Sequence, residues 1–309
     1  MGTAATVEKI AVILPCFNEE AAIGRVVDDF KAALPDAAIH VFDNASSDKT
    51  AAVALAHGAQ VHRVTKRGKG HVVQAMFRDV LADYYVIADG DGTYPATEAP
   101  AMVAQMVANR ADVVVGSRMA LYRDSQSRSG HFWGNRVLTR TVDYLFDSDV
   151  GDLLSGYRVM SRRFVKSMPL FSSGFEVETA MTIHAVEVGA KCVNVPVAYL
   201  ARADGTASKL NTLRDGTRIF MTIFRLYKDH KPFVVYGLMG LFMAMLSVGV
   251  GTPVVLEFLE TGLVPRFPSA ILASALMILG FLSSFTGIIL SAIAKSRRDI
   301  KKIAFLSMP

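Results

Sequence analysis

Tyr84-Tyr-Val-Ile-Ala88 runs directly into Asp89-Gly-Asp91 and then into Gly92-Thr-Tyr-Pro95. The first five residues read as a strongly apolar strand. The two carboxylates at its end put hard anionic oxygens on a turn, where a divalent cation can sit between protein and a phosphate-bearing ligand. The same Asp-x-Asp also reads as an ordinary helix-start signal. Which reading holds depends on what else the chain brings to that strand end.

Four other stretches have strand character: Ile10-Ala-Val-Ile-Leu14, Ala38-Ile-His-Val-Phe42, Gln60-Val-His-Arg-Val64 and Asp112-Val-Val-Val115. Between the strands, residues 19–33, 48–57, 69–82 and 96–109 have helical length and spacing. This alternation predicts an α/β fold, a mainly parallel sheet with helices on both faces and ligands at the carboxyl ends of the strands. Polar groups fall at those ends: Pro15-Cys-Phe-Asn-Glu19, Asp43-Asn-Ala-Ser-Ser-Asp48, Arg67-Gly-Lys-Gly70 and the Asp-Gly-Asp. Each also has a local reading, Asn18, Glu19, Ser47 or Asp48 as helix caps and Gly68 to Gly70 as a turn. The glycine spacing fits neither a Walker A loop nor a dinucleotide fingerprint, so NTPase and dehydrogenase readings fail.

The average composition, 51% hydrophobic over 309 residues, hides a sharp division. Residues 1–210 mix charged and apolar residues, whereas 233–256 and 269–294 contain no Asp, Glu, Lys or Arg. As helices these runs reach roughly 36 and 39 Å, enough to cross a hydrocarbon core of about 30 Å. Pro253 and the glycines are tolerated in such helices. Arg214, Arg218, Arg225, Lys228 and Lys231 precede the first run, and Lys295, Arg297, Arg298, Lys301 and Lys302 follow the second. The connecting loop offers only Arg266 beside Glu257 and Glu260. The positive-inside rule then puts the soluble part and both termini in the cytoplasm, on a multi-pass protein of the inner membrane.

The net charge of +5 is concentrated in these collars, which points to anionic headgroups and away from nucleic acid. Residues 1–9 carry no apolar signal-peptide core. Cys16 and Cys192 are too few for a disulfide framework or a zinc site, and His71, His131 and His184 show no ligand spacing. Residues 132–146 read as an amphipathic helix whose Trp133 suits either a membrane interface or a core, and a second such helix at about 211–229 leads into the first span. Gly237 and Gly240 permit close helix packing, within one chain or in a homo-oligomer.

The chain resembles the family 2 glycosyltransferases of GT-A fold, within them the polyprenyl- or dolichyl-phosphate sugar transferases. The resemblance covers about residues 9–210. It rests on ordered motifs: Leu14-Pro-Cys-Phe-Asn-Glu-Glu20, Asp43-Asn-Ala-Ser-Ser-Asp-Lys-Thr50, Arg67-Gly-Lys-Gly70, Asp89-Gly-Asp91, Val115-Gly-Ser-Arg118, Ser155-Gly-Tyr-Arg158 and Arg202-Ala-Asp-Gly-Thr-Ala-Ser-Lys-Leu210. The two apolar runs are similar to the membrane hairpin of bacterial members. The organisation implied is a cytoplasmic GT-A domain over 1–210, an amphipathic juxtamembrane helix over 211–232, a transmembrane hairpin over 233–294 and a basic tail over 295–309.

By the resemblance, Pro15, Asn18, Glu19 and Asp43 line the nucleotide, with Lys69 and Gly70 beside them, and Asp89 and Asp91 hold Mg²⁺ or Mn²⁺ against the diphosphate. Arg118, Arg136, Arg202, Ser208 and Lys209 match or neighbour positions that bind acceptor or donor phosphates; a solvated or headgroup-binding surface is the other reading of these cations. Asp152 falls where relatives place a base, or it orients Arg158 or the acceptor. A lipid monophosphate is largely ionised at neutral pH, with a second pKa of about 6, so it needs little general-base help.

Asn44 stands where many relatives have a second Asp, and Gly92-Thr-Tyr-Pro95 replaces a Leu-Gln segment whose Gln helps hold the metal in mannosyl enzymes. The third metal ligand is thus left open, and a UDP-sugar is favoured over GDP-mannose. Glu176 and Glu178 read as functional groups, as charges at a helix start or as ion-pair partners. A processive polysaccharide synthase is disfavoured because Trp133 follows Phe132 and no Gln-x-x-Arg-Trp is present. A non-catalytic membrane scaffold is disfavoured by the intact Asp43, Asp89, Asp91 and Arg118.

Overall fold

The computed structural model describes residues 8–118, 140, 144, 151–169, 177–200, 221, 224, 225 and 227–308. The chain divides into two compact units, Met1–Asp215 with Ile300–Pro309, and Gly216–Asp299.

In the first unit the described strands are β1 (Glu8–Cys16), β2 (Ala38–Asp43), β3 (Gln60–Arg63), β4 (Ala82–Ile87), β5 (Val113–Ser117), β6 (Arg158–Ser161) and β7 (Cys192–Pro196). The described helices are α1 (Glu20–Ala33), α2 (Thr50–Ala56), α3 (Lys69–Asp79), α4 (Ala99–Asn109), α5 (Arg162–Ser167) and α6 (Val177–Val188). They surround one sheet of order β3-β2-β1-β4-β6-β5-β7. Strands β1 to β4 pair in parallel, β6 runs antiparallel to both β4 and β5, and β7 is parallel to β5. The mainly parallel sheet expected from the alternation is present, with one reversed strand. Because β6 reverses twice over, β5 points the same way as β4, and the carboxyl ends of β1 to β5 share one edge.

The central strands are apolar almost throughout because both their faces are covered. Val12 and Leu14 of β1 join Phe30, Met102 and Met106 in one core, whereas Ala11 and Ile13 join Val73, Met76, Phe164 and Met181 in the other. This is the two-residue alternation of a strand dividing its side chains between opposite faces. Each large side chain buried in this way contributes about 1.5–3 kcal/mol, so the strand ends form a stiff platform.

The last residues, expected as a basic tail, are helical and belong with this unit. Phe305 is buried in the core beside α6, the Arg163 guanidinium covers its ring at 4.9 Å from the centroid, and Lys301 Nζ pairs with Glu187 at 2.5 Å.

The second unit contains α7 (Pro232–Thr261) and most of α8 (Phe267–Ser307), both long and apolar enough to cross a membrane. Small residues bring the two helices together. A Cβ on Gly240 would lie 2.6 Å from Gly280 O, and one on Gly280 would lie 2.9 Å from Gly240 O. Ser283 Oγ donates to Tyr236 O at 2.8 Å, and Ser247 Oγ to Ala273 O at 2.6 Å. Such contacts suit helices that share a low-dielectric environment. Gly240 is therefore used within the chain. The amphipathic segments expected at 132–146 and 211–229 lie largely outside the described residues.

Candidate active site

The loops after β1 and β2 are laced together. Asn18 adopts a left-handed backbone, φ 56°, which asparagine tolerates better than most residues. Its Oδ1 accepts from Ser47 N at 2.9 Å and from Ser47 Oγ at 3.3 Å, and its N–H donates to Ser46 Oγ at 3.0 Å. Glu19 N donates to Thr50 Oγ1 at 2.9 Å. Asn18 thus bridges two loops, and Asp48 does so too, accepting from Glu20 N at 3.2 Å as well as from Thr50 N at 3.0 Å, while the N-cap position of α2 falls on Lys49. Pro15 lies within β1, opposite Phe42 of β2.

The third loop is stitched to the second by Asn44. Its Nδ2 donates to Val64 O at 3.2 Å and Lys66 O at 2.8 Å, while its Oδ1 accepts from Gly68 N at 2.8 Å. An ionised aspartate has no donor for the two carbonyls, so the departure from the Asp-Asp pattern has a structural reason. Gly68 has φ 122°, a conformation that favours glycine, and it turns the chain so that α3 starts at Lys69. Asp43, buried at the end of β2, accepts from Ser46 N at 3.3 Å.

Lys69 reaches across to β4. Its Nζ lies 2.7 Å from Asp89 Oδ1 and 2.5 Å from Glu178 Oε1. Burial works against the charged amine, but the two carboxylates outweigh it and raise its pKa. Asp91 Oδ1 accepts from Thr93 N at 3.1 Å and Thr93 Oγ1 at 2.6 Å, a turn completed by Gly92 at φ 74°. Gly90 packs so closely that a Cβ there would lie 2.3 Å from Cys16 Sγ. Burial, then the charges of Glu19, Asp43, Asp89 and Asp91, push the Cys16 thiol well up, so it stays protonated and serves as a spacer.

The Asp89 and Asp91 carboxylates fit a divalent cation on two grounds. They supply hard oxygen donors from one turn, and the Lys69 ammonium shows that Asp89 already holds a cation. No cluster of three or more His, Cys, Asp or Glu suited to a metal occurs among the described residues.

On the far side, Arg118 at the end of β5 donates to Asp152 through Nε at 2.8 Å and Nη2 at 2.9 Å. Its guanidinium also lies over the Tyr199 ring, 5.4 Å from the centroid. Tyr94 joins this group to the Asp89 turn. Its ring packs on Tyr157 and Tyr199, its hydroxyl accepts from Gly156 N at 3.0 Å, and a Cβ on Gly156 would lie 2.8 Å from Asp89 Oδ2. Burial pushes the Tyr94 phenol up to about 12, so it remains neutral. Arg158 is fully buried and donates to Leu153 O and Ser155 O, each at 2.9 Å. It braces the loop that carries Asp152, and the Asp152 carboxylate accepts from Arg118.

The structure gathers Pro15, Asn18, Glu19, Asp43, Lys69, Gly70, Asp89, Asp91, Arg118 and Asp152 along one sheet edge. Arg136, Arg202, Ser208 and Lys209, along with Glu176, lie outside the described residues. Two contributors had only weak signals. Glu178 was visible as an acid at a helix start, and Tyr94 as part of the segment that replaces Leu-Gln.

A mixed, mainly parallel sheet with an Asp-x-Asp at the end of its fourth strand is a GT-A-like fold. Residues 11–168 match the family described as Glycosyl transferase family 2, and the chain belongs to that family. It is 32% identical over 254 residues to Glycosyltransferase AglJ of Haloferax volcanii, covering 82% of this chain and 83% of the relative. Dolichyl-phosphate hexose transferase of the same organism is 27% identical over 226 residues, 73% of this chain and 97% of the relative. Among solved structures, glucosyl-3-phosphoglycerate synthase from Mycobacterium tuberculosis, in complex with Mn²⁺, uridine diphosphate and glucosyl-3-phosphoglycerate, is similar in fold. Its TM-score is 0.56 at 22% identity, over 72% of this chain and 80% of that one.

Proposed function

We propose that the chain transfers a single hexose-type sugar from a nucleotide diphosphate sugar, UDP-linked in preference to GDP-linked, to a polyprenyl phosphate at the cytoplasmic face of a membrane. The observation that carries this reading is the pairing of an Asp89, Asp91 and Lys69 cluster with the Arg118 and Asp152 pair on one sheet edge, in a chain with two apolar helices of membrane-crossing length. The dolichyl-phosphate hexose transferase relative supports the acceptor class. The complex of glucosyl-3-phosphoglycerate synthase with Mn²⁺ and uridine diphosphate supports the donor class and the metal.

In this reading Asp43 accepts from the base or ribose, and Asn18 and Glu19 shape the floor beneath it. Asp89 and Asp91 hold Mg²⁺ or Mn²⁺, which when bound offsets charge gathering on the departing nucleoside diphosphate. Lys69 adds a fixed positive charge beside them. Arg118, held by Asp152 and by the Tyr199 ring, presents its guanidinium to the acceptor phosphate, whose ionised oxygen attacks the anomeric carbon. Attack opposite the leaving diphosphate inverts that carbon in one displacement. Holding two anions in line and screening their repulsion supplies most of the rate.

The test uses full-length protein in detergent with undecaprenyl phosphate, Mg²⁺ or Mn²⁺, and a panel of UDP- and GDP-sugars, reading nucleoside diphosphate release and lipid product mass. Release that requires both lipid and metal, and is lost in Asp91→Ala, is expected. Turnover only with GDP-mannose would reassign the donor, and no turnover with undecaprenyl or dolichyl phosphate would favour a non-catalytic scaffold.

A further inference from the structure

Lys69 is shared between acids from two different elements, Asp89 at the end of β4 and Glu178 in the first turn of α6. The two acids differ in setting. The Asp89 side chain keeps 30% of its surface exposed at the sheet edge, whereas that of Glu178 keeps 8%. Burying a carboxylate is costly unless it is paired, and the ion-pair partner of Glu178 is Lys69. The helix that carries Glu178 is held firmly, with Val177, Met181, Ala185 and Val188 in the core and Glu187 on Lys301. A lysine stem is flexible and the ammonium is a point charge, so one carboxylate alone would not fix it. The second, on a rigid helix, does.

This arrangement also leaves Lys69 a partner when Asp89 turns to another cation. We propose that Glu178 is a positioning residue that retains Lys69 in this way and so sets how tightly Asp89 and Asp91 take a divalent metal. The inference rests on the reading of those two aspartates as the metal site. In Glu178→Gln the ammonium keeps one carboxylate and competes harder for it, so metal binding weakens. In Lys69→Met the competitor is gone, so metal binding holds or tightens. An acid that merely stabilises the fold leaves the affinity unchanged when replaced, and one that touches the metal itself weakens it to the same extent with or without Lys69.

The experiment is a titration of Mn²⁺ into detergent-solubilised full-length protein without donor or acceptor, with free Mn²⁺ read by electron paramagnetic resonance. Glu178→Gln is expected to raise the Mn²⁺ Kd by about tenfold, and the same substitution in a Lys69→Met background by less than about threefold, as for two residues that act through one contact. A wild-type Kd in Glu178→Gln, or an equal rise in both backgrounds, overturns the proposal. If Glu178→Gln does not fold, Glu178→Asp, whose shorter arm draws Lys69 off Asp89, carries the test, and an unchanged Kd overturns it. Asp91→Ala separates the two levels. Wild-type Mn²⁺ binding there would remove the metal reading itself, whereas lost binding beside an unaffected Glu178→Gln would remove only the role of Glu178.

Discussion

Arg118 and Asp152 grip each other through two side-chain hydrogen bonds of 2.8 and 2.9 Å, and the Arg118 N–H adds a third to the same carboxylate at 3.2 Å. The carboxylate is fully buried and the guanidinium side chain is 19% exposed. The acid thus holds the arginine. Breaking a buried pair from one side costs about 3–5 kcal/mol, and partial exposure of Arg118 puts this pair near the lower end. Asp152→Ala is expected to lose about 3 kcal/mol in chemical denaturation and to raise the KM for polyprenyl phosphate more than it lowers kcat. A collapse of kcat with stability and lipid KM unchanged would instead mark Asp152 as a base.

Asn44 offers a test of opposite character, because the substitution restores the commoner residue of the family. Asn44→Asp removes both donors to Val64 O and Lys66 O and sets a charge against two carbonyls. Leaving such groups unsatisfied costs about 1–3 kcal/mol. The variant should melt at lower temperature and bind nucleotide more weakly, since the loop ahead of Lys69 loses its stitch. Equal stability would mean that the loop is held by something other than Asn44.

Much of this arrangement was readable before the fold. The apolar runs of β1 and β5 announce strands covered on both faces, and the polar groups after β1 to β4 fall where parallel strands end. Other features are set by pairing across the chain, which local periodicity does not carry. Strand β6 is four residues long and antiparallel to both neighbours, and β7 is an edge strand with little burial. Arg118 and Asp152 are 34 residues apart in sequence, and the partner of Glu178 lies on α3. Even the local cap reading of Asn18 gave way to contacts with Ser46 and Ser47.

The close approach of Gly90 to Cys16 predicts a rescue. A methyl group at residue 90 would meet Cys16 Sγ at 2.3 Å and Pro15 O at 3.4 Å. Gly90→Ala must therefore push the Asp89 and Asp91 turn away from β1, and misplacement by about 1 Å can cost on the order of 100-fold in rate. Cys16→Ala in the same chain removes the sulfur and should restore most of the activity, while Cys16→Ala alone is nearly silent. Failure of the second substitution to recover turnover would show that the backbone of Pro15, not the sulfur, limits the turn.

His184 predicts how the catalytic unit responds to acid. It is buried against Phe164, with Nε2 3.1 Å from Ser167 Oγ, and burial, reinforced by the Lys301 charge, lowers its pKa from 6.5 to about 4. The folded state therefore resists the proton that the unfolded chain accepts. This contribution is fully present above pH 6.5 and is lost as the pH falls toward about 4, with a limiting slope of about 1.4 kcal/mol per pH unit for one proton. His184→Leu should shift overall stability through lost packing and the lost Ser167 contact, yet flatten that acid limb by close to one proton. Denaturation midpoints measured across that range for both proteins give the comparison. Parallel curves would mean that His184 gains its proton without unfolding the unit, and that the acid limb belongs to other groups.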